Sequence, residues 1–207
     1  MDILWRRRAA AIAARTGGKQ WLDVCSGTGD MAANLSRLAS NGTRIFAADF
    51  SLPMLGRARA RADCGAVRFV LSDVKKLPFS DESFDLVTIS FATRNLNISR
   101  EKLIATFREF HRVLRPGGHF VNLETSQPPS RLFRWFFNLY VKLFVKSVGS
   151  LISGSKAGYG YLSTTIPLFY SAEELSGIME EAGFGASVAR RLSLGAAAIH
   201  EGTKDER

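Results

Sequence analysis

The sequence predicts an α/β fold in which a doubly wound, mostly parallel sheet of seven strands carries helices on both faces. Short apolar segments alternate with segments of helical spacing along most of the 207 residues. A glycine-rich turn follows the first apolar segment, and the first three apolar segments each carry an aspartate at or near their carboxyl end. Strands that are joined through helices lie parallel in one sheet. The last strand is expected to be antiparallel.

The first half of the chain alternates between helices and strands. The segment 1–14 has basic residues before a short apolar run, and we interpret it as a helix rather than as a signal peptide. Apolar residues at 31, 35 and 38 share one helix face, and Pro53 suits a first helical turn. The predicted elements are strands at 21–24, 44–49 and 67–71 and helices at 29–39 and 53–62.

The second half continues this alternation. The segment 84–91 is almost entirely apolar, which predicts a strand that is buried on both faces. A long helix is expected to end at Pro116-Gly117-Gly118. The other predicted elements are strands at 119–124, 186–192 and 196–200 and helices at 100–114 and 172–182. We interpret 1–207 as a single domain with a helical insertion at about 127–170.

Composition limits the classes of function. An apolar fraction of 46% and a charged fraction of 23% indicate a folded domain rather than a disordered chain. The net charge of +9 favours an anionic partner, unless dispersed arginines merely keep the protein soluble. Cys25 and Cys64 have no metal-ligand spacing, so we expect reduced thiols, no metal and a cytoplasmic location. No apolar stretch of about 18 residues is free of charge, which argues against a membrane span.

The turn after the first strand carries the strongest chemical signal. Gly27 and Gly29 allow a close approach of the backbone to a ligand, and the helix that follows offers free N–H groups to a phosphate or a carboxylate. Asp49 ends the second strand, where a carboxylate can accept from both hydroxyls of a ribose. Asp73 follows the third strand and can accept from the amine of an adenine. These features also permit NAD, because the glycine spacing fits a dinucleotide fingerprint.

Further motifs favour a different cofactor. Asp23 precedes the turn, Phe84-Asp85 opens the fourth strand, and Arg112 to Gly118 spells RVLRPGG before the fifth. Together with the strand-ending acids, these motifs resemble class I S-adenosylmethionine (SAM) methyltransferases, which have a Rossmann-like fold. We therefore expect SAM as the cofactor.

A closer resemblance rests on three segments. Ser90 to Asn95 spells SFATRN, which is similar to the Ser-Phe-Gly-x-Arg-Asn string of the ubiquinone/menaquinone biosynthesis C-methyltransferase family, with Ala92 in place of the glycine. Gly149-Ser150-Leu151 with Tyr159-Gly160-Tyr161-Leu162 resembles a second family segment. Ala198 to Gly202 resembles the third, near the carboxyl end. The resemblance covers about residues 21–204 and implies methylation of the ring of a polyprenylated demethylmenaquinol or ubiquinol precursor.

The resemblance also implies roles for individual residues. Arg94 and Asn95 match positions that act at the quinol, and Tyr159 and Tyr161 lie in a segment that lines the substrate entrance. The expected cofactor contacts are Asp23, Gly27, Thr28, Gly29, Asp49, Asp73, Val74 and Ser90.

The chemistry sets what these residues must do. An aromatic carbon is a poor nucleophile until its ring hydroxyl loses a proton, and the charge of Arg94 would lower the pKa of that hydroxyl. Arginine stays protonated, so it is not the expected base. His200 is the best titratable candidate, although a single histidine at the end of a strand is more often structural.

The predicted helix at 131–153 combines a basic stripe with an aromatic face. This pattern suits a helix that lies in the interface of an anionic membrane, on its inner face, and a core helix or a homodimer face would also accommodate it. Other readings remain open: a methyltransferase of another small molecule, an NAD-dependent oxidoreductase, or a SAM-binding homologue with reduced activity. We include the last because the sequence begins at a stretch that resembles the one after the family's Tyr-Asp-x-Met-Asn lid, so we expect that lid to be missing or replaced. No base-flipping motif is present, so we expect no nucleic acid partner.

Overall fold

The computed structural model describes residues 1–140 and 169–206. The strands are β1 Gln20–Val24, β2 Arg44–Asp49, β3 Val67–Leu71, β4 Phe84–Ser90, β5 Leu114–Thr125, β6 Val188–Leu192 and β7 Ala197–Thr203. The helices in the described ranges are α1 Asp2–Ala14, α2 Asp30–Leu38, α3 Leu52–Arg59, α4 Thr93–Leu96, α5 Arg100–Val113, α6 Arg131–Tyr140 and α7 Ala172–Glu181.

The seven strands form one sheet in the order β3-β2-β1-β4-β5-β7-β6. Strands β1 to β5 pair in parallel, and β7 pairs antiparallel with both β5 and β6. The chain therefore winds outward from β1 in one direction and from β4 in the other, which confirms the predicted doubly wound fold with its antiparallel C-terminal strand. Sheets of this kind bind ligands where the winding reverses, at the carboxyl ends of the central strands.

Two apolar layers cover the faces of the sheet. Residues of α1 and α2 pack with Trp21 on one face, and residues of α5 and α7 pack with Leu22 on the other. The two neighbours face opposite layers because side chains alternate along a strand. Burial of each large side chain stabilises the fold by about 1.5–3 kcal/mol. The sheet is therefore covered on both faces, and its carboxyl edge is where a ligand can enter.

Three predicted boundaries were wrong by three residues or more, and one of them is the end of the last strand, which lies at Thr203 rather than at 200. The helix predicted at 53–62 is α3, which ends at Arg59 and is followed by a 3₁₀ turn at Ala62–Cys64. The fifth strand begins at Leu114 rather than at 119, because the proline-glycine segment stays in the sheet. The Gly117 N–H donates to the carbonyl of Lys204 at 2.8 Å, and the Lys204 N–H donates to the carbonyl of Gly118 at 2.9 Å.

The helix predicted at 131–153 is described as far as Tyr140, and its remainder lies outside the described residues. The same holds for most of the predicted insertion at 127–170, including Tyr159 and Tyr161. Among the helices that the structure describes, none is both long enough and apolar enough to cross a membrane.

Candidate active site

A cavity of about 640 Å³ opens at the carboxyl edge of the sheet, at the end of β1 and its neighbours. The sequence-predicted residues that line it are Gly27, Thr28, Asp49, Asp73, Val74, Ser90 and Asn95. Cys25 and Phe91, which directly follow β1 and β4, also line it and hold positive φ angles of 51° and 55°. Such backbone strain in residues other than glycine is concentrated at functional sites.

The two glycines of the turn have different tasks. Both hold positive φ angles, 53° at Gly27 and 79° at Gly29. A side-chain carbon added at Gly27 would meet no atom within 4 Å, and this residue faces the cavity. The same carbon at Gly29 would lie 3.1 Å from the Cβ of Ala58 and 3.3 Å from the Sγ of Cys64. Gly27 thus leaves room for a ligand, whereas Gly29 lets the turn pack against the protein.

Asp49 joins the ends of β1 and β2. Its Oδ2 accepts a hydrogen bond from the Gly27 N–H at 2.8 Å, and its Oδ1 accepts one from the Ser51 N–H at 2.8 Å. Each carboxylate oxygen keeps a second lone pair that a ligand hydroxyl can use. The carboxylate therefore holds the glycine turn in place and also lines the cavity.

Asp73 and Val74 form the neighbouring part of the wall, beyond the end of β3. The Oδ1 of Asp73 accepts from the Lys75 N–H at 3.0 Å, and Val74 is buried. A carboxylate beside an apolar side chain suits the edge of an adenine, which has an amine donor and flat apolar faces.

Asp23 lies behind the cavity wall and does not line it. Its Oδ1 accepts from the Oγ1 of Thr88 at 2.8 Å, and its Oδ2 has no partner among the described residues. Burial raises the pKa of this carboxyl from 3.8 to about 7, against the smaller opposing effects of Thr88 and Arg6. A bound cation would favour the ionised form, so Asp23 can act on a ligand by its charge without direct contact.

Unpartnered polar atoms test whether the cavity fits SAM. The Oγ of Ser26 is buried without a partner among the described residues, and Ser26 lines the cavity. Together with the space beside Gly27 and the free lone pairs of Asp49, it forms a polar cradle beside a glycine turn. These groups match the hydroxyls and the amino-acid end of SAM, so the residues present fit this cofactor.

Arg94 is not a cavity-lining residue, although it follows β4 as predicted. Its side chain is only 6% exposed, and its Nη1 lies 3.5 Å from the Oε1 of the fully buried Glu124. The same Nη1 donates to the Oγ1 of Thr125 at 2.9 Å, while its Nε has no partner among the described residues. Asn95, the next residue, does line the cavity. Arg94 therefore stands behind Asn95 as a buried, partly neutralised charge.

The titratable candidates for a base lie elsewhere. His200 is fully buried and its Nδ1 lies 3.2 Å from the Oγ of Ser176, and burial lowers its pKa to about 4. It does not line the cavity, which favours its structural interpretation. Cys25 does line the cavity, but burial raises the pKa of its thiol to about 12, so this thiol is neutral near pH 7.

Sequence reasoning did not single out four charged residues of this site, of which Asp30 and Lys75 line the cavity. Arg6 on α1 lines the cavity, and Glu124 in β5 partners Arg94. Glu124 had a visible signal, because a carboxylate inside an apolar strand needs a partner. Arg6 had none, since it is one of three consecutive arginines, and only the packing of α1 on the sheet distinguishes it from Arg7 and Arg8.

The doubly wound sheet with its antiparallel β7, together with a glycine turn and acids at its carboxyl edge, is typical of class I SAM-dependent methyltransferases. Solved structures have the same fold. A putative methyltransferase from Bacillus halodurans has a TM-score of 0.67 and 19% identity, and the alignment covers 97% of this chain and 98% of that one. A SAM-dependent methyltransferase from Aquifex aeolicus has a TM-score of 0.67 and 17% identity, with 97% and 92% covered.

The chain belongs to the ubiE/COQ5 methyltransferase family, whose model matches residues 1–204. It is 40% identical over 205 residues to a demethylmenaquinone methyltransferase of Thermus thermophilus, covering 98% of this chain and 90% of that protein. It is 36% identical over 208 residues to the ubiquinone/menaquinone biosynthesis C-methyltransferase UbiE of Pseudomonas putida, covering 99% and 80%. The resemblance predicted from the sequence is confirmed, and the protein is a SAM-dependent methyltransferase.

Proposed function

We propose that this protein transfers the methyl group of SAM to a ring carbon of a polyprenylated demethylmenaquinol or ubiquinol precursor. The observation that carries the proposal is the composition of one cavity. Its wall is polar at Gly27 and Asp49, while exposed apolar side chains of Phe50, Met54 and Ile98 form its rim. A polar cofactor and a substrate with a long apolar tail have matching surfaces there. The names of the relatives from Thermus and Pseudomonas point to the same substrates.

The residues of this chain act by positioning and by charge. SAM, when bound, supplies a methyl group on a sulfonium. Asn95 faces the cavity and can hydrogen-bond the ring hydroxyl that must lose its proton. Arg94 supplies positive charge from a buried position behind it, which favours ionisation of the ring hydroxyl, and Glu124 holds the guanidinium in place. In-line transfer depends mainly on the alignment of the methyl group with the ring carbon. The strained turns at Cys25 and Phe91 contribute to it because they fix the walls of the site.

A comparison of binding and turnover tests this division of roles. We expect Arg94→Ala and Asn95→Ala to lower methyl transfer at least tenfold, the scale of one lost hydrogen bond to a charged group. Calorimetry with S-adenosylhomocysteine should show cofactor affinity within about threefold of the unchanged protein. A parallel loss of affinity and turnover would make both residues cofactor or folding residues. Intact SAM binding without methylated quinol would favour another small-molecule acceptor or a SAM-binding homologue.

We further propose that a surface formed by α6 and the turn after β6 contacts an anionic membrane, because a polyprenylated substrate resides in lipid. On α6, Leu132, Phe133 and Trp135 are exposed, and Arg131 lies beside them. The turn after β6 adds Leu194, which is 71% exposed and has a φ angle of 59°.

Contacts of the described residues join these two parts. The Nε of Arg134 donates to the carbonyl of Pro128 at 2.9 Å, and a side-chain carbon at Gly195 would lie 2.8 Å from Pro129. The turn and α6 therefore share the Pro128-Pro129 segment. Aromatic and apolar side chains beside arginines are typical of interfacial helices.

Vesicle co-sedimentation tests the membrane contact. We expect binding to phosphatidylcholine vesicles that contain phosphatidylglycerol, weaker binding at high salt, and weaker binding after Trp135→Ser or Leu194→Ser. Leu38→Ser is the matched control, since Leu38 is 47% exposed at the far end of α2. Equal binding by all variants, or a dimer in solution that the Trp135 change disrupts, would contradict the membrane contact.

A further inference from the structure

Arg6 occupies a place in the cavity that the proposed reaction does not yet use. Its side chain is 18% exposed, and its guanidinium carbon lies 4.9 Å from the centre of the Phe91 ring. Trp5 also contacts Phe91, with ring centres 6.1 Å apart. These contacts hold the amino-terminal half of α1 against the end of β4. The neighbouring Arg7 and Arg8 are exposed and do not line the cavity.

The charges around the cavity are unevenly placed. Among the described lining residues, the cations are Arg6 and Lys75. Lys75 follows Asp73 beyond the end of β3, whereas Arg6 lies beside Phe91 at the end of β4. Asp30 also lines the cavity, but it pairs with Arg61 at 2.6 Å. The β4 side of the cavity thus has a cation of its own, set apart from the acids at the ends of β2 and β3.

SAM has an equally uneven distribution of charge. Its adenosine part is neutral and offers hydroxyls and an amine, and its amino-acid part has a carboxylate and an ammonium. Asp49 and Asp73 suit the adenosine part. If they hold it, the amino-acid part would lie beyond the glycine turn on the β4 side, where a cation would stabilise its carboxylate.

We propose that Arg6 binds the carboxylate of the amino-acid part of SAM, an assignment that rests on the proposed function. A guanidinium matches a carboxylate with two parallel N–H donors. The present partner of Arg6 is Asp2, whose side chain is 59% exposed, with Nη1 at 2.7 Å from Oδ2. An ion pair with an exposed carboxylate contributes little stability, so a ligand carboxylate can replace Asp2 at little cost.

The assignment gives α1 a function as well as a place in the core. The buried alanines of α1, Ala9, Ala10 and Ala13, pack the helix closely on the sheet. This close packing brings the previous turn, with Arg6, to the cavity. The protein should therefore discriminate between SAM-like ligands that have the carboxylate and those that lack it.

Calorimetric titration of the full chain tests this selectivity with two ligands, S-adenosylhomocysteine and its decarboxylated analogue. The change Arg6→Met removes the charge but keeps an apolar stem over Phe91. We expect this change to lower the affinity for S-adenosylhomocysteine by about 10- to 100-fold, which is the range for hydrogen bonds to a charged group. The affinity for the decarboxylated analogue should change by less than about threefold. The control Arg7→Met should leave the affinity for both ligands unchanged.

The other outcomes have distinct meanings. Equal weakening of both ligands by Arg6→Met would make Arg6 a residue that shapes the cavity and would overturn the assignment. No weakening of either would overturn it too. If the unchanged protein binds neither ligand, the proposed function itself fails. Circular dichroism of the Arg6→Met protein distinguishes a lost contact from an unfolded α1.

Discussion

Two parts of the cavity are held by different kinds of contact: the turn after β1, which is the proposed cofactor side, and α4, which is the proposed substrate side. On the cofactor side, the turn after β1 is fixed by the backbone N–H of Gly27, which donates to the carboxylate of Asp49, 22 residues along the chain. On the substrate side, α4 is fixed by Glu124, which accepts from both the backbone and the guanidinium of Arg94. The first arrangement depends on one carboxylate that accepts from backbone N–H groups. The second depends on one buried pair of charges.

The largest expected effect breaks the substrate side. Glu124→Ala removes the partner of a buried arginine and should lower the free energy of unfolding by about 3–5 kcal/mol. Urea denaturation measures it. The matched control is Glu181→Ala, because Glu181 pairs with Arg100 on the surface, with side chains 51% and 42% exposed. The control change should lower the free energy of unfolding by less than about 1 kcal/mol. Equal costs would show that the buried pair is not what holds α4.

A pH dependence tests the cofactor side. The folded protein holds a proton on Asp23 up to about pH 7, whereas the unfolded chain releases it near 3.8. Because the native state binds more protons in this window, the free energy of unfolding should fall as the pH rises from about 4 to 7. Asp23→Asn mimics the protonated form and should remove this fall.

The size of the difference follows from the shift in pKa. At pH 8 the Asp23→Asn protein should be more stable than the unchanged protein by about 4 kcal/mol, and at pH 4 the two should be nearly equal. Thermal unfolding across this range measures it. Asp81→Asn is the control, because the Asp81 side chain is 75% exposed. A constant difference at all pH values would mean that Asp23 is ionised throughout.

The smallest expected effects separate the two glycines. Gly29→Ala places a carbon 3.1 Å from Ala58 at a φ angle of 79° and should cost about 1–3 kcal/mol of stability. The added carbon of Gly27→Ala would meet no atom within 4 Å. The change should therefore lower the free energy of unfolding by only about 1 kcal/mol, because of the left-handed backbone at this position. Calorimetry should then show that Gly27→Ala lowers the affinity for S-adenosylhomocysteine more than Gly29→Ala does. The reverse order would place the ligand against Gly29.

The same contrast explains what the sequence can predict. The strands, the glycine turn and Asp49 follow from local patterns, and the structure confirms the fold they imply. The turn is local, and the position of Asp49 follows from the parallel pairing of β1 with β2. The division of work between Gly27 and Gly29 was not predictable, because it depends on Ala58 and Cys64, far along the chain.

The substrate side was harder to predict for the same reason. The pairing of Arg94 with Glu124 joins the residues after β4 to β5, and no local pattern indicates where an arginine side chain will point. The position of Asp23 behind the wall is similar, since it depends on Thr88 in the neighbouring strand. Tyr159 and Tyr161 stay predictions.

The most direct test of the account is methyl transfer by the purified protein, with SAM and a reduced, short-tailed demethylmenaquinol as the only reactants. Mass spectrometry of the quinol is the readout, and Asn95→Ala with intact cofactor binding is the reference. We expect a quinol that gains one methyl group on a ring carbon, at a rate that falls at least tenfold in the variant. A protein that binds S-adenosylhomocysteine but leaves this quinol and a ubiquinol precursor unchanged would contradict it.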